Sequence, residues 1–317
     1  MRILIVGAGS VGQLYGYFLA EGGAHVDAYV RPKYAATARE GFRLYDRSKG
    51  LSTPLRFQPR AVVSSESQLQ DRSYDAALFC IPSTGLEGPW LPPFLEALGE
   101  DCHVISLLPG IDDRATLAEW IPDRRLATGL ITAVAYPAPL PGESVDEPGT
   151  AFWLPPLTPA FFQGPRDVIA PLIAHLKSGG MSARRHRRTD QLSAFGSAVL
   201  MPLVAILETL DWSLADLKRN APARRRLSQT TDEVMAIVSA SIDATPPLSI
   251  RLLGPTTWRG ALTFAPWIAP FDLQAYLELH FTKVGDQTRL FFRDYIDKGR
   301  IHQLPTEQCQ SLLDDLT

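Results

Sequence analysis

The feature that most limits what this chain can become lies at its N-terminus, where the short aliphatic run Ile3 to Val6 stops abruptly at Gly7-Ala8-Gly9-Ser10-Val11-Gly12. A branched apolar run of this length reads as a buried parallel strand. Beyond the glycines, Val11, Leu14, Tyr15, Phe18 and Leu19 recur at spacings of three and four, the period of a helix that packs one face on a sheet. The glycines therefore stand between a strand and a helix. In that setting the first glycine permits a tight turn, the second lets backbone approach a pyrophosphate, and the third lets helix pack closely on strand. Unpaired N–H groups and the positive end of the helix dipole then bind the anion without a charged side chain. Gly7, Ala8, Gly9, Ser10, Val11 and Gly12 are the candidate contacts of a dinucleotide, and a turn that binds nothing is the plain alternative.

The same residues argue against a secretory signal, because Gly7, Gly9, Gly12 and Gly16 break a run that would have to be continuous, and no unbroken apolar stretch of about 18 residues is apparent elsewhere. With 317 residues, 45% hydrophobic, 21% charged and a formal net charge of -3, the chain reads as a globular protein of two domains. That balance gives no field to recruit nucleic acid or a membrane. Cys80, Cys102 and Cys309 are too scattered for a disulfide framework or a metal site, which suits a reducing, cytoplasmic setting.

Which dinucleotide is read at the end of the second strand, His25 to Arg31. An NAD enzyme carries an acidic residue about 20 positions past the glycines to bind the ribose 2′-OH. Here Arg31 stands at that place with Lys33 behind it, and a guanidinium suits the 2′-phosphate of NADP(H). Asp27 lies mid-strand, too early to reach the ribose.

Further on, Ala76 to Ile81 and His103 to Leu108 resemble parallel strands that end at Pro82 and at Pro109-Gly110. Loops at the carboxyl ends of such strands surround the ligand in open α/β sheets, so Pro82 to Gly85 and Pro109 to Asp112 are candidates to line the cofactor crevice, with simple connecting turns the plain alternative. Ala135 is grouped with them. Residues 136 to 165 are rich in proline and glycine and read as irregular strands and turns, followed by a helix over Asp167 to Lys177 and a strand around Met181 to Arg185. After that the texture turns helical, notably over Gln191 to Leu210 and Asp232 to Ala244. The expected fold is α/β, a doubly wound N-terminal domain over residues 1–187 followed by a mainly helical domain over 188–317. The basic clusters Arg184 to Arg188 and Arg224 to Arg226 read as solvated surface. Tyr136, Trp258 and Trp267 read as packed aromatics, and Asp272 as a helix cap.

The run Ile-Leu-Ile-Val-Gly-Ala-Gly-Ser-Val-Gly followed by Gln-Leu-Tyr-Gly, Arg31 after the second strand, and Met201-Pro202-Leu203 in a helix of an all-helical second half together resemble the ketopantoate reductase family. The resemblance implies reduction of a 2-keto acid with NADPH. It also exposes departures. The family's lysine acid falls on Ser193, its nearby asparagine on Ser197, its asparagine-glycine turn beside the nicotinamide on Pro109-Gly110, a loop lysine on Pro82, and its substrate-binding glutamate on Lys283. The resemblance therefore implies a changed substrate, with Ser193 and Ser197 at its binding positions.

Hydride addition to a carbonyl builds negative charge on oxygen that an acid must neutralise. His280, Lys283 and Gln287 recur at i, i+3 and i+7, which predicts one helical face with Lys283 as proton donor or anion anchor and His280 or Asp286 setting its charge. An exposed face with a Lys283–Asp286 pair is the plain alternative. Two other functions stay open: an NADP-binding sensor without turnover, and an opine-type dehydrogenase using His280 with Asp286. A small-molecule substrate and, by analogy with other helical second domains, a homodimer complete the expectations.

Overall fold

A computed structural model describes residues 1–316, which form two compact units, the first Met1–Asp190 and the second from Gln191 onward. The division falls three residues later than the expected 187/188. Thr189 is fully buried; its N–H donates to Gln163 Oε1 at 2.9 Å and its hydroxyl to the His186 carbonyl at 3.0 Å, which ties it to the first unit.

In chain order the first unit runs β1 (Arg2–Val6), α1 (Ser10–Glu21), β2 (His25–Tyr29), α2 (Ala35–Glu40), β3 (Phe42–Asp46), β4 (Leu55–Phe57), β5 (Val62–Val63), β6 (Ala76–Phe79), α3 (Leu91–Ala97), β7 (His103–Ser106), α4 (Asp113–Ala118), β8 (Leu126–Leu130), β9 (Val134–Ala138), β10 (Gly149–Trp153), β11 (Ala160–Gln163), α5 (Arg166–Ser178) and β12 (Ala183–Arg185). The main sheet has the order β12-β11-β8-β7-β6-β1-β2-β5. From β5 to β8 all neighbours are parallel, and β11 runs antiparallel to β8. The strand order reverses between β1 and β6, the switch point at which doubly wound sheets bind ligands beyond the strands' carboxyl ends. Ile3, Leu4, Ile5 and Ala76, Ala77, Leu78 are fully buried, as strands covered on both faces must be.

A second sheet has the order β4-β3-β10-β9; β9 and β10 fall largely within the stretch expected to hold irregular strands, whereas β3, β4 and the pairing of the four were not foreseen. It packs against α1 on the side away from the main sheet, so this helix is covered twice; Leu44, Phe57, Ala135 and Phe152 join Ile3, Ile5, Leu14 and Tyr15 in one core cluster. The one-faced helix read from the periodicity is thus incomplete. Ala135 also needs correction: it is 4% exposed in β9 within this core, which leaves it no surface for a cofactor.

The second unit consists of α6 (Thr189–Glu208), which starts in the first, α7 (Leu214–Arg219), α8 (Ala221–Ser241), α9 (Leu248–Arg251), α10 (Pro255–Ile268), α11 (Leu273–Lys283), α12 (Gly285–Ile301) and α13 (Glu307–Asp315). Helix α8 begins well before the expected Asp232, because Asn220 caps it through Oδ1 and Pro222 occupies its first turn. It packs against α7, α10, α12 and α13. Four expectations change here. Helix α6 is long and apolar enough to cross a membrane by composition, contrary to the sequence reading, but 61% of its apolar window is buried, as in a core helix. Arg224 is not solvated surface: it is buried and its guanidinium donates to the carbonyls of Leu217 and Lys218, capping the end of α7. Trp267 is 88% exposed, whereas Trp258 belongs to the core. And α11 stops at Lys283, with consequences taken up below.

Candidate dinucleotide site

The turn after β1 is built from backbone. Gly7 adopts φ +92°, donates its N–H to the Tyr29 carbonyl at 3.0 Å, and so bends the chain away from β2 at the switch point. A Cβ on Gly12 would lie 2.0 Å from the Gly7 carbonyl oxygen, so this position admits only glycine if α1 is to sit against the strand. A Cβ on Gly9 would meet no atom within 4 Å. Gly9 therefore fronts open space at the head of α1, where no side chain caps the first-turn N–H groups. Backbone donors at a helix N-terminus with no side chain in the way fit the pyrophosphate of a dinucleotide. The turn is braced from behind by Gln13, whose amide donates to the Ala8 carbonyl at 2.9 Å and accepts from Thr150 Oγ1 at 2.7 Å. Thr150 lies on β10, so the second sheet holds the cradle in shape.

Two residues beyond β2, Arg31 is exposed, and its guanidinium sits 5.2 Å from the centre of the Tyr34 ring. The Lys33 ammonium is 5.0 Å from the same ring. Two cations thus gather around one aromatic ring at the carboxyl end of β2. Asp27 is otherwise engaged: it is 6% exposed, and its carboxylate accepts from the Tyr74 hydroxyl at 2.9 Å and from Arg72 at 3.2 Å.

Pro82 follows β6 and is exposed; Pro109 follows β7 and is partly buried. Between their loops stands Asp113, which the sequence reading missed. Its Oδ2 accepts from Ser83 Oγ at 2.7 Å and from the Gly110 N–H at 2.5 Å. Burial holds its carboxyl up at about 6 in spite of these donors. Cys80, just beyond β6, has its thiol pushed up by burial and stays protonated, so it supplies no thiolate.

In the second unit, Ser193 and Ser197 lie one turn apart on α6 and are both buried. The proposed single face of His280, Lys283 and Gln287 does not exist, because Val284 leaves the helical conformation (φ -116°, ψ 26°) and Gly285 begins α12. Lys283 is the last residue of α11 and exposed; Asp286 lies in the first turn of α12, also exposed. Both positions suit their helix dipoles. His280 is lowered to about 4 by burial and, secondarily, by Lys283, so it is neutral at pH 7. It packs between the rings of Tyr276 and Phe281, and among the described residues no hydrogen bond or ion pair joins it to Asp286. The His/Asp pair of an opine-type enzyme is therefore not formed. Asp272 caps α11, its Oδ1 accepting from Ala275 N at 3.0 Å, and Tyr136 is buried with its hydroxyl on Glu143 at 2.9 Å.

Of the positioning residues found here, Gln13 and Asp113 carried weak signals: a polar residue directly behind the glycine motif, and an acid at a helix start. Their partners Thr150 and Ser83 are distant in sequence and carried none.

Residues 3–145 match the family model described as ketopantoate reductase PanE/ApbA. Among solved structures, the chain is similar to a PanE/ApbA family ketopantoate reductase from Ralstonia eutropha JMP134, with a TM-score of 0.76 at 19% identity over 100% of this chain and 97% of that one. A D-mandelate dehydrogenase solved with NADH and anilino(oxo)acetate gives 0.75 at 16% identity, over 100% of this chain and 97% of that one. The 2-dehydropantoate 2-reductase from Methylococcus capsulatus gives 0.70 at 20%, over 99% and 95%. No curated protein sequence matches the chain. The whole chain thus has the fold of these solved proteins, and its segment 3–145 matches the ketopantoate reductase PanE/ApbA family model.

Proposed function

We propose that this protein is an NADPH-dependent reductase acting on the carbonyl or imine of a small molecule, a 2-keto acid or a ketone, and not on ketopantoate itself. The observation that carries the reading is the glycine turn at the switch point, with its open face at Gly9 and an uncapped helix N-terminus behind it. Gly7 to Gly12 would hold the pyrophosphate, Arg31 and Lys33 the 2′-phosphate, and the loops at Pro82 and Pro109 the nicotinamide half. NADPH, when bound, supplies the hydride. Ketopantoate is a 2-keto acid and D-mandelate a 2-hydroxy acid, so the solved relatives favour that substrate class.

Lys283 is our candidate for the group that protonates the carbonyl oxygen or anchors the substrate's anion, with Ser193 and Ser197 as hydroxyl donors to the substrate. His280 is neutral at pH 7 and so brings no charge to the neighbourhood of Lys283. Asp286 is the nearest acid along the chain to balance the ammonium. A different substrate follows from the residues replaced: serines cannot do the work of the family's lysine and asparagine in the same place.

A panel of 2-keto acids, ketones and imines, screened for NADPH oxidation, tests the reading. Turnover on at least one is expected. Tight NADPH binding with turnover on none would favour the sensor instead. Once a substrate is in hand, Lys283→Ala should lower kcat by about a hundredfold, in the range of a positioned acid; full activity in that variant removes Lys283 from the chemistry.

A further inference from the structure

Asp113 is an odd residue to find where it stands. It is 8% exposed at the start of α4, and among the described residues no cation contacts it. Its charged neighbour is Asp112, which disfavours ionisation further. A buried carboxylate without a counter-ion costs stability that an asparagine would avoid. What the carboxylate does hold is specific. One oxygen takes the Ser83 hydroxyl from the loop after β6 and the Gly110 N–H from the loop after β7. These loops leave the carboxyl ends of adjacent parallel strands, beside the turn at Gly7. A Cβ on Gly110 would lie 2.6 Å from that same oxygen, which explains a glycine at this position even though its neighbour is Pro109 rather than asparagine.

We infer that Asp113 is a positioning residue which clamps the loops after β6 and β7 together, in the arrangement that receives the nicotinamide half of the dinucleotide. The inference rests on the cofactor reading above. The adenosine half is held elsewhere, by Arg31, Lys33 and the glycine turn, and does not depend on the clamp. A helix-start carboxylate with a purely local role would leave the two halves of the ligand equally affected or equally untouched.

Two ligands separate the cases: NADPH, and 2′,5′-ADP, which lacks the nicotinamide half. Both are titrated into the full chain, NADPH by quenching of tryptophan fluorescence and 2′,5′-ADP by calorimetry, for wild type, Asp113→Ala, Ser83→Ala and Asp113→Asn. With wild-type circular dichroism retained, Asp113→Ala and Ser83→Ala should weaken NADPH by about tenfold or more, the range of a lost hydrogen bond to a charged group. The Kd for 2′,5′-ADP should stay within about twofold. Asp113→Asn keeps an acceptor oxygen and should recover most of the loss. NADPH affinity unchanged in both Asp113→Ala and Ser83→Ala, or both ligands weakened alike, overturns the clamp. Should Asp113→Ala fail to fold, Ser83→Ala alone decides by the same criterion. If wild type binds neither ligand, the cofactor reading itself fails, and the clamp with it.

Discussion

In the glycine turn every group offered to the ligand is backbone, whereas around α6, α11 and α12 every group given a chemical role is a side chain. The difference decides what can be carried from sequence to function. A cradle of N–H groups is announced by the residues it cannot tolerate, so glycine spacing between a strand and a helix suffices to find it. Acid and substrate contacts depend on which side chains the fold brings together, and Ser193, Ser197 and Lys283 do not reveal that by spacing.

Within the turn itself Gly12 and Gly9 serve opposite ends, fold and ligand, and substitutions should separate them. Gly12→Ala has the largest expected effect: a Cβ 2.0 Å from a backbone oxygen cannot be accommodated by a side-chain shift, so at least ~3 kcal/mol of stability and all dinucleotide binding should be lost. Chemical denaturation checks the first and NADPH titration the second. Next in size is Asp113. Its carboxyl is raised from 3.8 to about 6 in the fold, chiefly by burial. The folded state therefore keeps a proton that the unfolded chain has already released, and stability falls as pH rises between these values. Relative to Asp113→Asn, wild type should lose on the order of 2 kcal/mol from pH 4 to pH 7.5. Thermal melts across that range should show the variant gaining on wild type, and a constant gap contradicts the burial argument. Smaller again, Gly9→Ala should melt within a few degrees of wild type, because the added methyl meets nothing, yet weaken NADPH about tenfold by standing where phosphate approaches. A Gly9→Ala variant that melts far below wild type yet binds NADPH with wild-type affinity would contradict the role assigned to Gly9.

Four parallel strands were legible as short, largely apolar runs, and those expected at Ile3, His25, Ala76 and His103 begin within a residue of those observed, whereas the parallel β5 and β8 were not foreseen. Nor was the pairing of the second sheet. Phe42 to Asp46 and Leu55 to Phe57 form strands by pairing with each other and, for β3, with β10, from a distant part of the chain. Missing that sheet also misassigned Ala135, a core residue of β9, to the cofactor. The break at Val284 escaped for a different reason: the residue pattern around it continues a helical period on both sides, and only the backbone turn shows that Lys283 and Gln287 belong to separate helices. Arg224 illustrates the limit of composition, since a triple-arginine run looks solvated until one member is found on the carbonyls at the end of α7. The cap at Asp272, by contrast, was local and readable.

The central claim is that the turn holds NADP(H) and that Arg31 selects it. Paired titrations of NADPH and NADH, monitored by tryptophan fluorescence with wild type and Arg31→Ala, test it most directly. Wild type should bind NADPH at least about tenfold more tightly than NADH, and Arg31→Ala should erase that preference by weakening NADPH alone, as expected for loss of a charge-assisted phosphate contact. NADH bound as tightly as NADPH by wild type, or a preference that survives in Arg31→Ala, would contradict the account.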